Sequence, residues 1–206
     1  MNYIFWDFNG TVLDDVKLCY DILCEMLEEE KRPLITFEAY LNIFTFPIKD
    51  YYEKLYDLKQ TPYPVLADRF IKKYQPRSMQ LSLHVGFIDT IKVLAEKGYQ
   101  HVLLSASEYH NLMAQLKHYD IDHLFKDVLG TSDVFATSKI MIAKNYIEKN
   151  HIDPTSIVMI GDTLHDAEVA HELKCRIILY TKGHQHRLRF QNYETIDQIQ
   201  DLLGKI

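Results

Sequence analysis

The chain has 206 residues, 47% hydrophobic and 25% charged, an ordinary globular balance with room for a core and a smaller inserted module. A formal charge of −6 argues against nucleic acid as the main partner, yet leaves room for a locally positive site that takes a small anion. Cys19, Cys24 and Cys175 form no Cys-x-x-Cys pair and read as free thiols of a reducing compartment. No apolar run approaches the roughly 20 residues of a membrane span, and no signal pattern opens the chain. The expectation is a cytoplasmic protein without a membrane partner.

Tyr3–Trp6 is short, apolar and aromatic, the pattern of a buried strand. Helical spacing follows over residues 16–30, where Leu18, Ile22, Leu23, Met26 and Leu27 recur on one face. Lys31-Arg32-Pro33 stops it. Further helices are expected over 37–44, 48–58 and 65–74, jointed at Pro47, Pro62 and Pro64. No strand pattern falls between residues 14 and 80. A helix over 87–97 ends at Gly98, and a strand over 99–104 ends at Ser105. A helix over 111–119, a short strand over 127–129 and a helix over 138–150 follow. A strand over 157–160 then runs into Gly161-Asp162, before a helix over 166–173, a strand over 176–180 and a closing helix over 196–203. The alternation predicts an α/β fold, a doubly wound parallel sheet with helices on both faces. Residues 1–13 and 83–206 form its core, and residues 14–82 form an all-helical insertion.

Ligands of open parallel sheets bind at the carboxyl ends of the strands. Asp7, Ser105 and Asp162 are therefore the residues to inspect. Asp162 opens the stretch GDTLHD, which adds Asp166 four residues on, a spacing that can bring both carboxylates to one point at a helix start. Asp7, Asp162 and Asp166 together would repel, so the cluster calls for a cation, and an all-oxygen donor set suits Mg²⁺. Ser105 is placed to donate to a phosphate, and a nearby lysine would neutralise the transferred group. The plainer readings are helix caps for Asp162 and Asp166 and, for any such lysine, an exposed helix position.

The chain resembles the haloacid dehalogenase-like hydrolase superfamily, in the branch of phosphoglycolate phosphatase and β-phosphoglucomutase. DFNGT matches the first motif, whose family pattern is DxDGT. LLSAS matches the second, and IGDTLHDAEVA the fourth. Lys139 in ATSKI is the best match to the third motif, with Lys144 as the fallback, and the segment after residue 14 resembles that branch's helical cap. The resemblance implies a Rossmann-like core and a phosphatase of a small phosphorylated metabolite, as monomer or homodimer. It makes Asp7 the nucleophile. Mg²⁺ would be held by Asp7, the Asn9 backbone carbonyl and Asp162, with Asp166 acting directly or through water. Thr11 would steady the first loop, while Ser105, the Ala106 amide and Lys139 would hold the phosphate.

Asn9 stands where the family pattern has an acid-base Asp. A carboxamide neither gives nor takes a proton at neutral pH, so acid-base help is expected to be weak. Three activities stay open: a phosphatase favouring good leaving groups, a related phosphomutase or phosphonate hydrolase, and a catalytically weak protein that binds a phosphorylated ligand. GHQH at 183–186 reads as a polar surface loop. Tyr51, Tyr52, Tyr56, Tyr63 and Tyr74 read as packing within the insertion rather than a ligand cage.

Overall fold

The computed structural model describes residues 2–131 and 139–206. Six parallel strands form one sheet in the order β3-β2-β1-β4-β5-β6: β1 Tyr3–Trp6, β2 Gln100–Glu108, β3 Asp127–Thr131, β4 Ile157–Gly161, β5 Arg176–Tyr180 and β6 Thr195–Ile196. β1 lies centrally, with Phe5 opposite Val102 on one side and Met159 on the other. Every residue of β1 is buried, as expected where helices cover both faces. Ile4 and Trp6 join one cluster with Leu103, Ile160 and Ile178, while Tyr3 and Phe5 join the other with Val102, Leu104 and Met159. This alternation is the two-residue period of a strand expressed in a fully buried sheet.

Helices α1 Val16–Glu29, α2 Phe37–Ile43, α3 Ile48–Glu53 and α4 Tyr63–Ser78 follow β1. They pack into a cluster of their own built on Ile22, Leu23, Met26, Tyr40, Tyr52 and Leu66. On the first sheet face, α5 Phe87–Glu96 buries Phe87, Ile91 and Leu94, and α6 Tyr109–His118 buries Leu112 and Leu116. α7 Lys139–Lys149 and α8 Leu164–Leu173 cover the opposite face through Ala143, Ile147, Val169 and Leu173.

Several expectations shift. The helix expected over 48–58 stops at Glu53, whereas that over 65–74 runs from Tyr63 to Ser78 with Pro76 inside it. Ser138, expected to start a helix, lies outside the described residues. The closing segment departs most. Ile196 belongs to the edge strand β6, and residues Ile199–Gly204 form a 3₁₀ helix. Ile199 and Leu202 are fully buried, and residues three apart align along a 3₁₀ helix, so the tighter coil buries both.

Candidate active site

β1 hands Asp7 to the sheet edge. Its amide still donates to the Ile160 carbonyl (2.8 Å), extending the strand ladder by one bond. The chain then turns through Gly10, which has φ of 75°. A Cβ there would meet Asp162 Oδ2 at 2.4 Å and the His184 ring at 2.6 Å, so glycine is required both by conformation and by space. The turn lays Thr11 against the end of β4, where its hydroxyl donates to Asp162 Oδ1 (3.1 Å).

Asp7, Asp162 and Asp166 meet, each offering an oxygen within 4.8 Å of the others, and all three are buried. Lys139, at the start of α7, reaches into them: Nζ donates to Asp7 Oδ1 (2.5 Å) and Asp166 Oδ1 (2.6 Å). Lys144 instead pairs with Glu172 at the surface (2.8 Å), so of the two lysines Lys139 is the one beside the carboxylates. Asp166 also closes the N-terminus of α8. Its Oδ2 accepts from the Thr163 amide (3.0 Å) and hydroxyl (2.7 Å), while the Asp166 amide donates back to Thr163 Oγ1 (3.3 Å). Helix cap and site carboxylate are thus one residue using its two oxygens.

Burial pushes the Asp7 carboxyl well up, with Asp166 and Asp162 adding repulsion against the pull of Lys139. Burial likewise lifts Asp162 to about 6, against the opposing charge of His184. Burial also acts on Asp166, but Lys139 and Thr163 hold it below the usual carboxylate range. Lys139 is itself raised: burial works against its charge and is outweighed by Asp166 and Asp7. Three carboxylates against one ammonium leave an anionic, all-oxygen cluster, the donor chemistry a hard divalent cation takes.

A cavity of about 60 Å³ opens over this cluster, walled by Asp7, Asn9, Ser105, Ala106, Lys139 and Asp162 among others. Ser105 ends the regular part of β2, and its oxygen accepts from the Ser107 amide (3.1 Å). Every site residue read from the sequence lies in this region: Thr11 supports Asp162, and the others line the cavity.

The chain as a whole has counterparts among known proteins. The sequence profile of the family described as haloacid dehalogenase-like hydrolase matches residues 4–180. The chain belongs to the haloacid dehalogenase-like hydrolase family. It is similar to the phosphoglycolate phosphatase of Haemophilus influenzae, 25% identical over 133 residues, a match covering 64% of this chain and 59% of the relative. The phosphoglycolate phosphatase of Aliivibrio fischeri is 24% identical over 194 residues, covering 89% and 85%. A haloacid dehalogenase-like hydrolase of Streptococcus pneumoniae shares the fold with a TM-score of 0.83 and 18% identity, over 100% of this chain and 98% of its own.

This member of the hydrolase family holds a second buried network that the sequence did not announce. Asn9 Nδ2 donates to Asp15 Oδ2 (2.8 Å) and to the Tyr74 hydroxyl (2.6 Å), and Asn9 Oδ1 accepts from Ser107 Oγ (2.9 Å). Asp15 is fully buried. It also accepts from the Gly10 amide (2.8 Å), Tyr74 (2.6 Å) and His184 Nε2 (3.1 Å). Burial alone would raise the Asp15 carboxyl, but His184, Tyr74 and Asn9 hold it down. Burial would lower His184, yet Asp15 lifts it to about 9, so the pair is an imidazolium and a carboxylate.

The GHQH stretch is therefore no surface loop. His184 and Gln185 are buried because their hydrogen bonds lie inside: the His184 amide donates to Asp162 Oδ2 (2.6 Å), and Gln185 joins the Leu164 amide (2.8 Å) to the Phe44 carbonyl (2.9 Å). The adjacent acidic pair Asp14-Asp15 before α1 was the available signal for Asp15. Nothing local marks its partner 169 positions away.

Proposed function

We propose that this hydrolase is a Mg²⁺-dependent phosphatase of a small phosphorylated molecule, working through an aspartyl-phosphate on Asp7. One observation carries the reading: Lys139 Nζ ties Asp7 and Asp166 together at the floor of a cavity walled by Ser105 and Ala106. A phosphoryl group in that cavity would lie against a carboxylate nucleophile, with an ammonium group and a strand-end hydroxyl beside it. The names of the relatives support the same class.

The residues fit the metal. Asp7 and Asp162, with the Asn9 backbone carbonyl, would hold it. Asp166, with one oxygen on Lys139 and the other on Thr163, would support the metal directly or through water. A bound dication would favour the charged forms of Asp7 and Asp162 against the burial and mutual repulsion that lift them, and it would draw charge from the phosphate oxygens. The protein's own groups do the rest. Asp7 attacks phosphorus, Lys139 and Ser105 steady the phosphate oxygens, and Thr11 and the His184 amide hold Asp162 in place. Asn9 supplies no proton to the departing oxygen, so esters and anhydrides with stable leaving anions turn over best.

Hydrolysis of acetyl phosphate with and without Mg²⁺, for wild type and Asp7→Asn, tests this. Mg²⁺-dependent release of phosphate, lost in Asp7→Asn, is expected. Activity that survives the substitution undiminished removes Asp7 as nucleophile. Absence of turnover with a phosphorylated ligand still bound would favour a binding protein.

A further inference from the structure

A second and larger cavity, about 180 Å³, lies between the helices after β1 and the sheet edge. Asn9, Phe44, Phe46, Ala106 and His184 line both it and the smaller cavity over Asp7, so the two lie side by side. What lies beyond phosphorus on a bound ester would therefore enter the larger one. Its walls are aromatic. Phe70 and Tyr74 stand stacked at 5.5 Å, Tyr51, Tyr52 and Tyr63 form another side, and Phe44 stacks on His184 at 4.8 Å. Of the tyrosines read from the sequence as packing, Tyr51, Tyr52, Tyr63 and Tyr74 thus also face open space, and Tyr56 does not line it.

The charge of the lining is the informative part. Its carboxylates are Asp15 and Glu108, and the described lining residues include neither lysine nor arginine. Its one ionisable cation is His184, whose charge is already matched by Asp15 at 3.1 Å. Glu108 is occupied in capping α6 through the His110 and Asn111 amides. A carboxylate or second phosphate brought here would lose its water and meet no free positive charge. A flat uncharged ring would instead stack on the walls. The size agrees, since a dry apolar cavity of about 150 Å³ is enough to take benzene.

We infer that this cavity receives the leaving group, and that the substrate is a monophosphate ester of an uncharged phenol-like ring. The inference rests on the phosphatase reading and narrows its substrate class. It also answers the deficit at Asn9. A phenolic oxygen, with pKa of about 10, departs as an anion far more readily than an alkyl alcohol and needs less help from an acid. In the step, a bond forms from Asp7 to phosphorus as the bond from phosphorus to the ring oxygen breaks, and the electron pair stays on that oxygen. Water then bonds to phosphorus as the bond from phosphorus to Asp7 breaks, giving inorganic phosphate and the Asp7 carboxylate, and the proton that water sheds to solvent balances the one the phenolate takes up. On this reading carboxylated esters such as phosphoglycolate are poor substrates, unlike the activity named for the relatives.

The test compares kcat/KM, with Mg²⁺, for para-carbamoylphenyl phosphate and para-carboxyphenyl phosphate, nearly equal in shape and leaving group but not in charge. Acetyl phosphate, too small to reach the aromatic walls, reports the chemistry alone. The neutral ester is expected to be preferred by about 30-fold or more, since the carboxylate loses water without gaining a counter-charge. Ile71→Arg, which adds a guanidinium to the half-buried wall position Ile71, should shrink the preference to about 5-fold or less. Equal turnover of the two aryl esters, preference for the carboxylated one, or acetyl phosphate turnover without aryl ester turnover overturns the cavity assignment and leaves the phosphatase standing. Failure on all three substrates overturns the phosphatase reading and this inference together.

Discussion

Placing the family's aspartate at position 9 is the simplest perturbation, and the structure predicts that it destabilises the protein. In Asn9→Asp the donor that faces Asp15 Oδ2 at 2.8 Å becomes an oxygen. Ser107 still donates to the other side of residue 9, so the new carboxylate cannot turn its charge away. One hydrogen bond to a charged group is lost and two buried like charges are set in contact. Coulomb repulsion at an effective dielectric of 20 is about 6 kcal/mol at that separation, an upper bound that relaxation or proton uptake reduces. A loss of about 3 kcal/mol follows, or roughly 6–12 °C in melting temperature for a chain of this length. Asp15→Asn alone costs about 3–5 kcal/mol, because the His184 imidazolium is left buried without its counter-charge. The swap Asn9→Asp with Asp15→Asn restores a carboxylate facing an amide, and Tyr74 can still donate into the pair. Urea denaturation of the four proteins should give a favourable coupling of about 2 kcal/mol. Effects that add to within about 0.5 kcal/mol, or an Asn9→Asp variant more stable than wild type, would refute the claim that Asp15 sets the choice of residue 9.

The same swap should raise hydrolysis of alkyl phosphates relative to aryl phosphates by about 10²-fold or more, the usual worth of general acid-base help; an unchanged ratio would show that residue 9 does not touch proton transfer. Lys139→Met leaves Asp7 and Asp166 buried without their bridging ammonium and should cost about 3–5 kcal/mol. Added Mg²⁺ should then raise the variant's melting temperature more than that of wild type. An equally stable variant with no Mg²⁺ response would remove the cation cluster from the argument. His101 is 3% exposed, accepts from Trp6 Nε1 (3.0 Å), and is lowered by burial to about 4. Its unfolded value lies near 6.5, so between the two the unfolded chain binds a proton that the folded chain refuses. Stability should fall by about 3 kcal/mol as pH drops from about 6.5 to about 4, and His101→Gln should flatten that slope; parallel slopes would exclude His101 as the cause. Arg69, which joins α4 to Glu29 and Glu30 of the α1 end while partly exposed, should lose no more than about 1 kcal/mol as Arg69→Ala, with the difference shrinking in high salt.

What the sequence disclosed and what it withheld divide along one physical line. Asp7, Ser105 and Asp162 were legible because each follows an apolar run, and a run of four or five buried residues that ends in a polar one locates a strand end without knowledge of any partner. Asp166 was legible because a capping box has fixed local spacing, and that box holds its second oxygen toward Lys139. Asp15 and His184 had no such local mark. Each reads as ordinary surface composition, an acidic pair before a helix and a histidine between glycine and glutamine, and each becomes special only when β1 and β5 lie on either side of β4. The same distance governs Asn9. Judged within its own motif it is a missing acid. Judged against Asp15, Tyr74 and Ser107 it is the one common side chain of that size that can donate on one side and accept on the other. An aspartate there would need a proton that the Asp15–His184 pair does not supply. The amide at the motif's third position is therefore matched to a buried carboxylate outside the motif, and an aspartate there should be tolerated only when Asp15 changes with it.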